Sequence, residues 1–196
     1  MTQMVSFKVT GDIPLKKFPL AINTLLPESI RVKKAVEKPL DYLPRFSVKQ
    51  KTYEYLIFNG QIVPINLRNY VWQIKTPLDL KLMRKGATVL IGRHDFSSFC
   101  AAGGDDNNYV RKILSIKLNK KTVSLWAGQK TEVVSIKVCG TGFLYKMVRN
   151  MVGALVAVGQ GKTTVDQLKM ILKAKNRRIA PPTAPAKGLC LVKVKF

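Results

Sequence analysis

Cys139-Gly140-Thr141-Gly142-Phe143-Leu144-Tyr145-Lys146-Met147-Val148-Arg149-Asn150-Met151-Val152-Gly153 is the stretch on which the reading of this chain turns. Just before it, Glu132 to Cys139 reads as a strand that ends in the flexible Gly140-Thr141-Gly142 turn. Leu144, Val148, Met151 and Leu155 then recur at helical spacing, and the pattern stops near Gly159. Arg149 and Asn150 sit inside this otherwise apolar helix. A buried guanidinium is unfavourable unless it meets an anion. The plain alternative is an Arg at a helix edge facing solvent. Here the glycine turn, the aromatic Phe143 and Arg149 occur together, and that combination marks a site.

Working upstream, Lys112 to Leu118 reads as a strand with Ile113, Ser115 and Lys117 on one face, and Thr122 to Trp126 as another strand. Thr76-Pro77-Leu78-Asp79 predicts a helix start with Thr76 as N-cap and Pro77 in the first turn. Leu80, Met83, Ala87, Leu90 and Ile91 continue that helix, with Gly86 as a soft spot and Gly92 as the stop. Lys51 to Phe58 alternates, with Tyr53, Tyr55 and Ile57 on one face. Tyr53 fits either a core aromatic or a ring that stacks on a base with its hydroxyl free to bond. Leu15, Phe18, Ile22, Leu25 and Leu26 fall at helical spacing, with Pro19 delaying the start, and Gln3 to Val9 reads as a short strand. Downstream, Thr163-x-x-Asp166 resembles a capping box that opens a helix through Leu168, Ile171 and Leu172. Leu189 to Phe196 reads as a final strand. Interleaved strands and helices give the class α+β with a mixed or antiparallel sheet.

Composition narrows the partner. Hydrophobic residues make up 46%, enough for a real core. Lys and Arg number 34 against 11 acids, a formal charge of +23. Such an excess repels itself in the compact state and usually marks a surface that meets an anionic partner. A solvated Lys-rich surface accounts for part of it; structured RNA accounts for it better. A membrane fits poorly, because the longest apolar run, Met151 to Val158, is far too short to span a bilayer. Lys8 and Asp12 break any signal-peptide pattern. Cys100, Cys139 and Cys190 are widely spaced and form no C-x-x-C, so a reducing, cytoplasmic setting is expected and a metal site is not.

Two tempting motifs give way to duller readings. Gly159-Gln160-Gly161-Lys162-Thr163 looks like a phosphate-binding loop, but that motif needs a glycine where this chain has Val156, and it follows a strand, not a helix. It reads as a helix stop and a turn. His94 is the single histidine. No partner set for a triad accompanies it, and Asp95 and Ser97 read as loop residues bonding nearby backbone.

Taken together these segments resemble the bacterial tRNA pseudouridine synthase A family. Arg45-Phe46-Ser47 with Lys51-Thr52-Tyr53-Glu54-Tyr55 is similar to its A-R-F-S-A…R-x-Y-x-Y segment. Asp95-Phe96-Ser97-Ser98-Phe99 resembles D-F-x-S-F, and Phe143 to Gly153 resembles G-F-x-x-x-M-V-R-N-x-V-G. Thr183-Ala184-Pro185-Ala186-Lys187-Gly188-Leu189 resembles T-A-P-A-x-G-L, and Leu26 to Val32 resembles its N-x-x-L-P-x-D-I-x-V run.

The resemblance implies a pseudouridine synthase-like mixed or antiparallel sheet with flanking helices. Residues 1–45 would be the remnant of an incomplete amino-terminal lobe, and residues 46–196 the carboxy-terminal lobe. It implies an isomerase that converts uridine to pseudouridine in the anticodon stem-loop of tRNA. The resemblance further implies no cofactor, no membrane and a cytoplasmic homodimer. The bond from sugar to base nitrogen breaks, the base turns, and it is rejoined through carbon; a carboxylate is the nucleophile, and the base must first leave its stack. Carried over residue by residue, Tyr53 contacts the flipped base, Arg149 pairs with the nucleophilic aspartate, and Phe143, Met147 and Asn150 contact substrate. The family's aspartate lies in a G-R-T-D-x-G-V-H segment that does not occur among these residues. Gln3-Met4-Val5-Ser6-Phe7 is similar to the end of the strand that follows it. The expectation is therefore an amino-terminally truncated synthase inactive by itself, with a non-catalytic RNA-binding relative or RNA chaperone as the alternative.

Overall fold

The structure, a computed structural model, describes residues 3–11, 13–103 and 107–196; Asp12 and the Arg45 side chain lie outside what is described. The chain divides into two compact units, residues 3–47 and residues 48–196.

In the first unit a 3-10 turn at Leu15–Lys17 leads into α1 (Phe18–Leu25), with Pro19 in its first turn, where a missing N–H costs nothing. Asn23 in α1 bonds both backbone groups of Val32, donating from Nδ2 at 2.9 Å and accepting at Oδ1 at 2.7 Å. A short helix, α2 (Pro44–Ser47), closes the unit. The alternation over Gln3 to Val9 does not produce a strand. No described backbone pairs with it, and Val5 and Phe7 are exposed, so the pattern lacks the ladder that makes a strand.

The second unit is built on a six-stranded mixed sheet. Its strands are β1 (Gln50–Asn59), β2 (Trp72–Ile74), β3 (Gly92–Asp95), β4 (Val110–Ser124), β5 (Lys130–Gly140) and β6 (Leu189–Lys195). The order is β2-β1-β5-β4-β3. β1 pairs antiparallel with β5, with Tyr55 opposite Ile136. On its other edge β6 runs antiparallel beside residues 50–55, and β2 runs parallel beside residues 57–59. The helices α3 (Leu80–Val89), α4 (Met147–Gly159) and α5 (Val165–Ala174) pack with the sheet around one core, which takes Tyr55 and Ile57 from β1, Ile136 and Val138 from β5, and Leu155 and Leu168 from the helices. The α+β class is as the sequence implies. No helix among the described residues is long and apolar enough to cross a membrane.

Several local expectations shift. α3 is capped by Asp79, not Thr76: Asp79 Oδ1 accepts from the Leu82 N–H at 2.9 Å. α5 is capped by Thr164 with Gln167 completing the box, because Gln167 has the reach that Asp166 lacks. The two strands read over 112–126 are one strand, β4. A register shift between Ile113 and Ser115 changes the side-chain phase, so Ile113, Ile116 and Leu118 are the buried residues. Trp126 lies beyond that strand, in the turn to β5. His94 sits on β3, not in a loop. Gly86 is a contact point, not a weakness: a Cβ there would lie 3.3–3.5 Å from Leu168, Leu155 and Val158.

Candidate active site

α4 is a central helix, with every residue buried except Arg149. The sequence shows only a stripe, but an all-round apolar helix is one covered on all sides. Part of the cover is the segment from Asn176 to Gly188, which crosses α4 and reaches β1. It lies so close that a Cβ on Gly153 would meet the Pro182 carbonyl oxygen at 2.0 Å. Only glycine fits there.

The segment is held by bonds to the two polar residues of α4. Arg149 Nε donates to the Ala184 carbonyl at 2.7 Å, and the Ala184 N–H donates back to the Arg149 carbonyl at 3.2 Å. Asn150 is 1% exposed and fully committed. Its Nδ2 donates to the Phe99 carbonyl at 2.6 Å, and its Oδ1 accepts from Thr183 Oγ1 at 2.6 Å and from Arg177 at 3.2 Å. Arg177 also donates to the carbonyls of Ala180 and Pro181, both at 3.0 Å. Tyr55, on β1, donates from its hydroxyl to the Pro185 carbonyl at 2.6 Å. Burial pushes the Tyr55 hydroxyl well above its ordinary pKa, against the opposing positive charge of Arg149. The hydroxyl is therefore a donor at any physiological pH.

Two residues along the same strand, Tyr53 points to the same side as Tyr55. Its ring meets Phe143 edge-on, with centroids 5.2 Å apart and planes at 88°. Both rings are half-buried, and burial pushes the Tyr53 hydroxyl up from its ordinary pKa. Phe143 is fixed by the turn leaving β5, where a Cβ on Gly140 would lie 3.0 Å from the Phe143 ring. α4 then starts from Lys146, whose φ of 56° is left-handed. A non-glycine residue in that region signals a turn over-determined by its surroundings.

One contact chain thus joins Arg149, Ala184, Pro185 and Tyr55, with Tyr53 and Phe143 beside it. Among the described residues Arg149 makes no ion pair, and Nε is the only one of its side-chain nitrogens bonded to protein. The arrangement can offer a guanidinium to an anion and an aromatic wall to a planar ring. Of the other expected substrate contacts, Met147 is 0% exposed and Asn150 is bonded to Phe99, Thr183 and Arg177. Arg177 and Tyr55 were missed by sequence reasoning. Arg177 lies in an ordinary basic stretch and joins a local turn to the distant Asn150 side chain, and Tyr55 bonds a carbonyl 130 residues away, which no local pattern encodes.

The stretch resembling a phosphate-binding loop is a helix stop and a turn, with Gly161 at φ of 71° after α4, and next to His94 on β3 the Asp95 Oδ1 accepts from the N–H and the hydroxyl of Ser97.

Comparison with known proteins first gives the class. The tRNA pseudouridine synthase family model matches residues 87–196, which include Phe143, Met147, Arg149 and Asn150. Proteins named tRNA pseudouridine synthase A then match nearly the whole chain. That of Moorella thermoacetica is 38% identical over 194 residues, 99% of this chain and 75% of its own length. That of Caldicellulosiruptor saccharolyticus is 39% identical, covering 99% and 76%. That of Bacillus pumilus is 40% identical, covering 99% and 75%. The chain belongs to the tRNA pseudouridine synthase A family.

Proposed function

We propose that these residues bind tRNA and isomerise uridine to pseudouridine at the Tyr53–Phe143–Arg149 site, once an aspartate nucleophile is supplied. The observation that carries the reading is Arg149. It is the one polar side chain on α4 left partly accessible, it is held by Ala184, and among the described residues it has no anion.

In this mechanism Arg149 holds the aspartate as a carboxylate and fixes its direction, because an ion pair of this kind favours the charged form. The carboxylate attacks the substrate, and the bond from sugar to base nitrogen breaks. The freed base stays against the Tyr53 and Phe143 rings, turns, and rejoins through carbon. Tyr53, protonated, offers its hydroxyl to the base; Phe143 offers a face or edge. The new carbon–carbon bond releases the carboxylate, and the proton lost from that carbon is balanced by one gained at the freed nitrogen, so no residue beyond the aspartate needs to form a covalent bond.

The finer features rest on the family resemblance: a target in the anticodon stem-loop, a homodimer, and a cytoplasmic setting. Three widely spaced cysteines without a C-x-x-C fit that last assignment. A non-catalytic tRNA-binding relative is the second reading, favoured by the same observation that no carboxylate among the described residues pairs with Arg149.

The test is Tyr53→Phe in a chain extended by an aspartate-bearing segment. tRNA affinity is expected to stay within about 2-fold while turnover falls by roughly 10- to 100-fold, since one positioned polar group is lost and the ring remains. Equal loss of binding and turnover would mark Tyr53 as structural.

A further inference from the structure

The β4–β5 turn carries Trp126, 87% exposed. The turn is tight: Leu125 N–H donates to the Gln129 carbonyl at 2.7 Å, and Ala127 and Gly128 are left-handed at φ 55° and 75°. The bonds between Leu125, Trp126 and Gln129 close the turn around the left-handed Ala127 and Gly128. Beside it runs the connection from β1 to β2. Pro64, Ile65, Asn66, Leu125, Trp126 and Gln129 line a shallow groove of about 520 Å³. Ile62, Ile65 and Tyr70 on the same connection are also exposed, at 86%, 78% and 66%. Single exposed apolar residues need no explanation, but Trp126 and Ile65 share one groove, and that makes a patch.

The charge around the patch selects the partner. Arg68, on the connection that carries Ile65, and Lys130, next to Gln129 of the groove, are exposed, whereas Lys120 and Lys121 farther back on β4 are paired with Glu132 at 3.0 Å and Glu54 at 3.2 Å. A flat aromatic face with an Arg and a Lys on its two flanking segments fits a nucleobase between phosphates. We propose that this groove is a second RNA contact, in which Trp126 stacks on a base and Arg68 and Lys130 meet the flanking phosphates. The proposal rests on the reading that the chain binds tRNA.

Its location gives it a distinct role. The tip lies at the start of β5, and the Phe143 turn follows the end of that strand, Lys130–Gly140. At about 3.4 Å per residue the two are roughly 30 Å apart along the sheet. A nucleotide on Trp126 is therefore not the one being isomerised. The contact reads how far the RNA extends from the target, and it helps a whole tRNA more than a short stem-loop.

The experiment uses the 196-residue chain, following tryptophan emission and filter retention with unmodified tRNA. tRNA is expected to quench the emission, and Trp126→Phe is expected to remove most of that quenching. Trp126→Ala is expected to weaken tRNA binding by roughly 5- to 100-fold, the strength of one stacked base. Arg68→Gln with Lys130→Gln is expected to lower the slope of log affinity against log salt by about one to two. These positions are exposed, and unchanged circular dichroism checks that the variants fold. tRNA bound tightly with no change in emission, and equal affinity of Trp126→Ala, would overturn the proposal while leaving the tRNA reading intact. Emission that changes with protein concentration without RNA would overturn it in favour of a second copy of the chain. No retention of tRNA by the unaltered chain would sink both readings.

Discussion

Arg149 ties together structure and chemistry at the scale of one residue. Its Nε bond to Ala184 anchors the crossing segment, and its terminal nitrogens remain for an anion. Arg149→Lys keeps the charge but loses the fixed fork geometry. In an aspartate-bearing chain, Arg149→Met is expected to lower turnover by at least about 100-fold, and Arg149→Lys by less, since a point charge still holds a carboxylate. Similar turnover in all three proteins would remove Arg149 from the site. Glu54 offers a separate test. It is buried on the opposite side of β1, accepting from Ser135 Oγ at 2.7 Å, with Lys121 at 3.2 Å and Lys137 at 3.8 Å. Burial pushes its carboxyl up, but those bonds and charges outweigh burial and hold it below the ordinary value. A depressed folded-state value contributes stability above the unfolded value, and that stability is lost as pH falls through the folded one. Glu54→Gln is therefore expected to flatten the acid limb of the stability–pH curve below about pH 4.5. An unchanged acid limb would mean the carboxylate is not coupled to folding.

Among the elements, α4 and the segment crossing it decide whether the site exists. Gly153→Ala puts a methyl into the Pro182 carbonyl, so one of the two must move. A loss of about 1–3 kcal/mol is expected, read as a lower urea midpoint at constant slope. Asn150→Ala strands the Phe99 carbonyl and removes the acceptor shared by Thr183 and Arg177, again at about 1–3 kcal/mol for each buried group left unpaired. A wild-type midpoint in either variant would show that the segment is not clamped as described. The helices were legible because their apolar residues recur locally; Leu155 and Leu168 announce α4 and α5 without help from the rest of the chain. Caps were misplaced by one to three residues, at Asp79 and Thr164, because Thr, Asp and Pro all serve near a helix start and only the hydrogen bond decides. The β4 register shift left no signal, since its phase change looks like two strands. Gln3 to Val9 shows the converse: alternation is a property of the sequence, but a strand needs a partner.

For the whole molecule, the charge of +23 is the dominant fact. Affinity for tRNA is expected to fall steeply between about 50 and 200 mM salt, by 10³-fold or more if roughly six or more phosphates are met. A flat titration would contradict an electrostatic RNA surface. Arg149 stood out in the sequence as a candidate because a guanidinium is conspicuous in an apolar helix, and the structure leaves it the one α4 residue not buried. Tyr53 was legible only as one face of a strand, and Phe143 contact with it depends on two elements ninety residues apart in sequence meeting at one end of the sheet. The most direct measurement is pseudouridine formation in unmodified tRNA, followed by chemical labelling and mass spectrometry. It compares the 196-residue chain, the same chain joined to an aspartate-bearing amino-terminal segment from a relative, and that fusion with Arg149→Met. The expected result is product from the fusion alone. Robust product from the 196 residues by themselves would show that another group serves as nucleophile, and product undiminished by Arg149→Met would show that the site lies elsewhere.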